Sequence, residues 1–270
     1  MAASDLAAAT APGFPLAARL WAPWLRRALF YVGLVAVWQL IASSGMWPSY
    51  VVPGPNAVTA SLADGLAGGV FLVAAAVSLS RLAVGYVLSV GLGILLGMLI
   101  ARFRLADELL GSLVLALQSL PSVCWLPLAI LWFGLNQTAV IFVVVMGALF
   151  SITLGVASGV RNTPPLYVKA ARNMGSHGWR LYSRVIIPAA LPAVLSGLKQ
   201  GWSFAWRSLM AGELIYFSLS LGNLLQTGRD LNDAARVVAV MVVIMVIGLV
   251  CDQLLFAPFE RRMREKRGLN

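Results

Sequence analysis

The sequence has few charged residues, since Asp, Glu, Lys and Arg together make up only 11% of its 270 positions. A typical water-soluble domain carries about 25% charged residues. Hydrophobic residues instead make up 60% of the chain. This balance excludes an ordinary soluble enzyme or binding module, and it predicts an integral membrane protein.

Histidine and cysteine are also scarce, since the chain has only His177, Cys124 and Cys251. Both cysteines lie in apolar runs without the spacing of a metal site or a disulfide framework, so we expect inert buried thiols. The single histidine lies in a polar segment, as is typical of a surface contact. An intramembrane serine protease would need a base beside its serine at bilayer depth. We therefore expect no metal site and no catalytic residue.

The chain has no Gly-x-x-x-x-Gly-Lys-Ser/Thr segment, the loop whose backbone amides cradle nucleotide phosphates. We therefore expect that it is not itself an ATPase and holds no cofactor. Any ATP-driven process must take its energy from a separate subunit.

Long apolar runs predict about six membrane-spanning helices, each near the length needed to cross a ~30 Å hydrocarbon core. The predicted spans are 28–45, 82–101, 109–133, 138–160, 189–217 and 236–258. The membrane domain therefore covers 28–258. It follows an N-terminal tail and amphipathic segment (1–27) and precedes a basic tail (259–270). The amphipathic segment predicts an interfacial helix or, equally, a charged flank of the first span.

Two connecting segments have a distinct composition. The proline-rich stretch MWPSYVVPGPNAV after the first span argues against regular helix, so the connection up to about Val70 is expected to be an irregular outer loop. The residues between Val70 and Ser80 then form a partly embedded start of the second span. The polar segment 218–234 predicts a short outer helix or lid.

The distribution of basic residues predicts how the chain is oriented across the membrane. Its net charge is +10, which could suggest a nucleic-acid partner. With both termini on the cytoplasmic side, however, six spans place nearly all cations on that side, and only Arg229 lies clearly opposite. The cations then face anionic lipid headgroups and a protein partner. We therefore expect no nucleic-acid role.

A basic segment between spans four and five, 161–188, stands out from its apolar surroundings. Thr163 followed by two prolines predicts a helix start, and Gly175 predicts its end. Ser176 is expected to cap a second short helix that includes His177 and Trp179. Two short helices outside the membrane would carry the segment's basic side chains to a partner: Lys169, Arg172, Arg180 and Arg184.

This segment resembles the cytoplasmic loop motif of ATP-binding-cassette (ABC) importer permeases. The family pattern is Glu-Ala-Ala, three residues, Gly, nine residues, Ile-x-Leu-Pro. The chain has Lys169-Ala170-Ala171, then Gly175, then Val185-x-Ile187-Pro188. It departs at Lys169, which removes any salt bridge that the usual glutamate would make. The later stretch AWRSLMAGEL narrows the resemblance to the nitrate/sulfonate/taurine-type permeases.

The resemblance implies an all-α type I importer permease of the MetI-like fold, with a cytoplasmic coupling helix, in a bacterial inner membrane. It implies four partners: a second copy of the chain, two cytoplasmic ATP-binding subunits that hold ATP and Mg²⁺, and an external solute-binding protein. The expected solute is a small oxyanion or sulfonate such as nitrate, bicarbonate, taurine or an alkanesulfonate. The residues expected to couple to the ATPase are Lys169, Ala170, Ala171, Arg172, Gly175, His177, Trp179, Arg180 and Pro188.

Polar groups inside the spans suggest a translocation path. Gln118 and Ser119 lie in span three, which Pro121 and Pro127 interrupt, so they must be satisfied within the bundle or along a wet cavity. The alternative is a simple kink in which Gln118 bonds a neighbouring helix. The residues assigned to the path are Gln118, Ser119, Trp125, Trp202, Trp206, Arg207 and Glu213.

Arg207 is the sharpest of these candidates, because a guanidinium among aromatic rings could hold an oxyanion through paired hydrogen bonds. The alternative is neutralisation by Glu213. Six residues along an ideal helix separate the two side chains by about 120°, which makes a direct pair awkward. Lys199 and Arg81, predicted nearer the span ends, are expected to snorkel.

Two other functions are open to a chain of this composition. A stand-alone secondary transporter or channel predicts inverted repeats and coupling carboxylates, whereas only Glu213 lies clearly within a span and no repeat is evident. A purely structural membrane scaffold would leave the loop motif unexplained.

Overall fold

The computed structural model describes the backbone of residues 16–266, with side chains from Trp24 onward except those of Arg264 and Lys266. Helix is the only regular secondary structure in this part of the chain. The predicted N-terminal tail up to residue 15 and the last four residues of the basic tail lie outside the described residues.

The first helix, α1 (Leu16–Ser43), includes the first candidate span, Trp24–Ser43. The helix runs unbroken from residue 16 of the amphipathic segment into the span. Contact with the rest of the chain includes the indole of Trp38, whose Nε1 donates to the carbonyl oxygen of Pro53 at 3.0 Å.

The prediction of an irregular loop before Val70 is confirmed for residues 46–54 and wrong from Pro55 onward. A helix, α2 (Pro55–Ala67), forms there with Pro55 in its first turn, where no intrahelical donor is needed. Gly69, at a φ of 72°, then turns the chain into α3 (Val70–Arg102). The second span is thus one helix of 33 residues that begins well before the predicted start.

The predicted break in span three is confirmed. Span three consists of two helices, α4 (Arg104–Gln118) and α5 (Ser122–Phe133), which meet at an angle of 101°. The proline ring at position 121 offers no amide donor, which favours a kink or break of the helix at this point. Next comes α6 (Gln137–Arg161), whose first turn is capped by the Asn136 side chain accepting from the amide of Ala139 at 3.1 Å.

Four helices complete the described chain: α7 (Pro165–Asn173), α8 (Gly178–Glu213), α9 (Leu221–Asp230) and α10 (Ala234–Met263). The predicted outer helix within 218–234 is confirmed as α9. Helix continues beyond α10 to Lys266, so the part of the basic tail up to that residue is helical. Five described helices are long and apolar enough to cross a membrane, and the bent pair α4–α5 would make six.

The centre of the bundle is α6, which packs between α3 and α8. Glycines permit this, because an added Cβ at Gly85, Gly93 or Gly97 would lie within 2.9 Å of side chains on α6. On the other side, a Cβ on Gly155 would lie 2.6 Å from the Cα of Gly197. Gly93, Gly97 and Gly155 are therefore close-packing positions, since small residues let membrane helices approach closely.

A second packed layer lies at the end of the bundle away from α7. Side chains from α2, α3, α9 and α10 form it: Val58, Phe71, Leu221, Leu224, Ala239 and Val240. The turn between α8 and α9 lies at this same end, where it closes one side of the bundle.

Candidate functional site

The segment between spans four and five has an exposed outer surface, and a small buried cluster of apolar residues, the anchor, attaches it to the start of α8. Ala171 of α7 is only 2% exposed and packs with Leu181 and Ile186 at the start of α8. A larger side chain at 171 would push α7 away from this anchor, which explains physically why alanine suits the position.

The outer side of α7 and of the first turn of α8 combines apolar and basic groups. Trp179 is 75% exposed and Met174 is 78% exposed, and both lie beside basic side chains. Of the residues predicted to couple to the ATPase, all but Ala171 are exposed: Lys169, Ala170, Arg172, Gly175, His177, Trp179, Arg180 and Pro188. This composition suits a protein partner rather than hydrocarbon.

Gly175 ends α7 as predicted, at a left-handed φ of 81°. Its amide donates to the carbonyl of Arg172 at 3.0 Å, and the amide of Ser176 donates to that of Ala171 at 2.9 Å. Ser176 does not cap a second helix, because the N-cap position of the next helix is His177. The next helix begins at Gly178 with His177 at the N-cap, and it continues into span five rather than forming a separate short helix.

A polar stripe follows α8 through its membrane-spanning part. Ser196, Gln200, Ser203 and Arg207 are all exposed on the single chain. At about 100° per residue their directions fall within about 60° of each other. Three of these residues were missed by the sequence analysis, although the 4-3-4 spacing of polar side chains in an apolar run was the available signal.

Two cavities join this stripe to the break in span three. A groove of about 540 Å³ is lined by residues of α6 and α8, including Ser151, Ser158, Ser196 and Gln200, together with Gln118. A smaller pocket of about 140 Å³ lies at the bend itself. Its lining includes Gln118, Ser119, Pro121, Ser122 and Phe204.

Gln118 therefore lies in both cavities. Its Nε2 donates to the hydroxyl of Ser151 at 3.3 Å, which is the neighbour-helix contact expected of a simple kink. The same side chain also borders open space, so the two interpretations of Gln118 coexist.

The guanidinium of Arg207 lies 5.9 Å from the ring centre of Phe204, which lines the bend pocket. The pairing of Arg207 with Glu213 is wrong, because Glu213 points away and binds another arginine. An exposed arginine within a span is costly against hydrocarbon, by about 2.5–3.5 kcal/mol on insertion scales. Water, solute or another protein surface is therefore the environment that suits this face of α8.

The three tryptophans assigned to the path serve mainly in packing. Trp202 packs edge-on against Tyr86, with ring centres 5.1 Å apart, and Trp206 contacts both the central core and the layer at the far end. Both lie off the polar stripe, by about 80–140° around the helix. Trp125 is half-buried between Phe142 and Phe150.

Glu213 is fully buried, and Arg81 of α3 is 4% exposed. Arg81 Nη1 donates to Glu213 Oε1 at 2.9 Å, and the hydroxyl of Ser78 donates to Oε2 at 2.7 Å. Glu213 therefore lies off the polar stripe. The expectation that Arg81 snorkels is wrong because α3 begins at Val70, which places Arg81 eleven residues inside the helix.

Two smaller expectations also change. Lys199 does not simply snorkel, since its Nζ lies 3.4 Å from Asp252 and 3.1 Å from Glu260 and so links α8 to α10. Cys124 is exposed rather than buried, whereas Cys251 is half-buried, and both are free thiols.

Residues 90–265 match the family model described as "Binding-protein-dependent transport system inner membrane component". The chain is 33% identical over 224 residues to a protein of Methanocaldococcus jannaschii named as an ABC transporter permease, covering 81% of this chain and 84% of that protein. It is 32% identical over 231 residues to the Escherichia coli protein SsuC, named as an aliphatic sulfonates transport permease, with 86% of each chain covered. It is also 28% identical over 235 residues to the bicarbonate transport system permease protein CmpB of Synechococcus elongatus, covering 82% and 83%.

Proposed function

We propose that this chain, which belongs to the family of inner membrane components of binding-protein-dependent transport systems, forms a homodimeric path for a small oxyanion. Members of this family are permease subunits of ABC importers, so the chain is a multi-pass membrane protein and not an enzyme. ATP hydrolysis belongs to separate subunits, and the family works with ATPase subunits and a solute-binding protein.

The observation that carries the coupling role is the exposed surface of α7 and the first turn of α8. It offers Leu166, Tyr167, Met174 and Trp179 to solvent, although apolar side chains are driven towards burial. Exposed aromatic and Met side chains beside arginines are typical of protein interfaces. We assign this surface to the ATPase, which places it and both termini on the cytoplasmic side.

The polar stripe of α8 supports the homodimer. Ser203 donates to the carbonyl of Lys199 at 3.3 Å, but the side chains of Gln200 and Arg207 would find no hydrogen-bonding partner in lipid tails. Two copies related by a two-fold axis would bring their stripes to face each other across a wet path. The groove and the bend pocket, which meet at Gln118, would then line that path.

The solute class follows from the charge on this face. Arg207 is the basic member of the stripe, and a guanidinium suits the planar or tetrahedral oxygens of bicarbonate and sulfonates. The names of two relatives, for aliphatic sulfonates and for bicarbonate, agree with this chemistry. A sulfonate or carboxylate mono-anion is the solute class we assign.

Transport then takes place by alternating access. ATP-driven closure of the two ATPases would move the two α7 helices, and the anchor at Ala171 would pass this motion to α8 as a rigid body. The bundle would shift between inward-open and outward-open packings. A secondary transporter has no use for the exposed surface on α7, so we place that alternative second.

Replacing Arg207 with glutamine should lower ATP-driven uptake of radiolabelled ethanesulfonate by about tenfold or more. A hydrogen bond to a charged group contributes about 1.5–3 kcal/mol, and 1.4 kcal/mol corresponds to a factor of ten. The measurement is initial uptake into vesicles that hold the chain with its ATPase and binding protein, repeated with labelled bicarbonate. Arg207→Lys should retain part of the rate, because the positive charge remains.

The matched control is Arg104→Gln. Arg104 is 93% exposed and makes only a surface pair with Glu108 one helical turn away, which contributes little. If Arg104→Gln lowers uptake as much as Arg207→Gln, or if Arg207→Gln transports both anions normally, Arg207 has no role in the path.

A further inference from the structure

The buried pair of Arg81 and Glu213 is part of a larger network. Besides Arg81 and Ser78, the Glu213 carboxylate accepts from the backbone amide of Gly222 at 3.2 Å. The amide of Leu221 donates to the hydroxyl of Ser78 at 3.0 Å. The network therefore links α3, the last turn of α8 and the first turn of α9.

Such a network is costly, because burying two charges requires about several kcal/mol per ion, which their attraction repays only in good geometry. The cost is not fully offset here. The buried Nε of Arg81 has no hydrogen-bond partner within the part of the chain that the structure describes. Stability alone is thus a weak reason for the pair, whereas fixing one arrangement of neighbouring elements is the use best supported for buried polar groups.

The element that this network fixes is the turn between α8 and α9, residues 214–220. Arg81 Nη2 donates to the hydroxyl of Ser218 at 2.7 Å, and the guanidinium lies 5.0 Å from the ring centre of Tyr216. Side chains alternate along the turn. Tyr216 and Ser218 contact Arg81, and the buried Ser220 caps α9 by accepting from the amide of Asn223 at 3.3 Å. In contrast, Ile215, Phe217 and Leu219 are exposed, Phe217 at 86%.

This apolar outer side continues the polar stripe of α8. Leu214 is exposed and lies eighteen residues after Ser196, which is five full turns, so it points in the same direction. The stripe therefore runs from Ser196, in the middle of α8, past Arg207 and ends at Leu214 and the exposed turn. The exposed apolar side chains of residues 214–219 thus begin where the polar stripe ends.

We propose that the Arg81–Glu213 network is a positioning device that holds Phe217 and its neighbours as the outer closure of the path, pressed against the same turn of a second copy. This inference rests on the proposed homodimer. A second copy of this chain is the partner that we assign to the exposed turn. The stripe that leads to the turn carries Gln200 and Arg207, whose side chains are unsuited to lipid tails. In a dimer with two-fold symmetry, a residue near the symmetry axis lies next to the same residue of the other copy.

The test uses the full chain in complex with its ATPase, in membranes, with both cysteines replaced by alanine. Phe217→Cys on this background should give a covalent dimer with a short bismaleimide when ATP is absent. Trapping with ATP and vanadate should lower the yield at least fivefold, because the outer closure opens. The control is Leu72→Cys, an exposed residue at the same end of the bundle that points about 140° away from Gly85, which packs on α6, and it should not be linked.

The positioning role is tested by adding Arg81→Gln to Phe217→Cys. Linking should fall severalfold while the dimer and its ATPase still co-purify, and the exchange Arg81→Glu with Glu213→Arg should restore part of it. If Arg81→Gln prevents assembly, Ser218→Ala tests the same point, since it keeps the ion pair and removes the bond to the turn. Linking that stays at the parent level in the variant that assembles would overturn the positioning role.

The outcomes also separate this inference from the proposed function. A complex that assembles and transports but gives no Phe217→Cys linkage overturns the outer closure alone. A parent chain that neither binds an ATPase nor shows ATP-driven uptake overturns the proposed function itself.

Discussion

Gly175→Glu is expected to lower ATP-driven uptake by more than about tenfold, while the membrane bundle still inserts and packs. Gly175 ends α7 at a φ of 81°, and a side chain in this left-handed region costs about 1–2 kcal/mol. The change would also place a carboxylate within the exposed surface that carries Arg172 and Arg180. Both effects act on the coupling surface, and an added Cβ at Gly175 would meet nothing within 4 Å.

The measurement is co-purification with the partner ATPase, together with uptake. The matched control is Gly175→Asn, because asparagine tolerates the left-handed conformation and adds no charge. It should retain most of the complex. Normal complex formation and uptake by Gly175→Glu would show that α7 does not dock the ATPase.

Gly197→Val is expected to have the largest effect on folding. Its added Cβ would lie 2.8 Å from the Cα of Gly155 and 3.1 Å from the carbonyl oxygen of Ser151. Both are backbone atoms, so relief requires that α6 and α8 move apart. Overpacking of this kind costs about 1–3 kcal/mol and more when the backbone must shift. Denaturant unfolding in detergent should show that loss of unfolding free energy.

Gly91→Val is the matched control, since it lies in the same kind of helix but an added Cβ there meets nothing within 4 Å. It should unfold at nearly the parent denaturant concentration. Equal destabilisation of the two variants would mean that the α6–α8 contact is not a packing determinant.

The parts of the fold that depend on local chemistry could be predicted from the sequence. The start of α7 after Pro164 and its end at Gly175 follow from proline's fixed φ and glycine's freedom to take a positive φ. The break at Pro121 follows from a missing amide donor. The same reasoning about proline led to a wrong prediction of an irregular loop at α2, because Pro55 begins a helix instead of preventing one.

The errors at the candidate site concern contacts between distant elements. Arg81 was placed at a span end because α3 was predicted too short. Nothing local indicates that Arg81 meets Glu213, which is 132 residues away in the sequence. A buried carboxylate without an intrahelical partner did signal that some cation had to come from another helix.

The polar stripe of α8 was missed for a different reason. Ser196, Gln200 and Ser203 are uncharged and lie singly among apolar residues, so none of them stands out in the sequence as Arg207 does. Their common direction depends on helical spacing. A search for polar residues three and four apart would have found them beside Arg207.

The most direct test of the account is uptake of labelled ethanesulfonate or bicarbonate into proteoliposomes that hold this chain, with and without its ATPase and ATP. We expect uptake only when the chain, the ATPase, ATP and the solute-binding protein are all present. Uptake at an equal rate by the chain alone would contradict the account, because the chain would then be a transporter or channel that needs no ATPase.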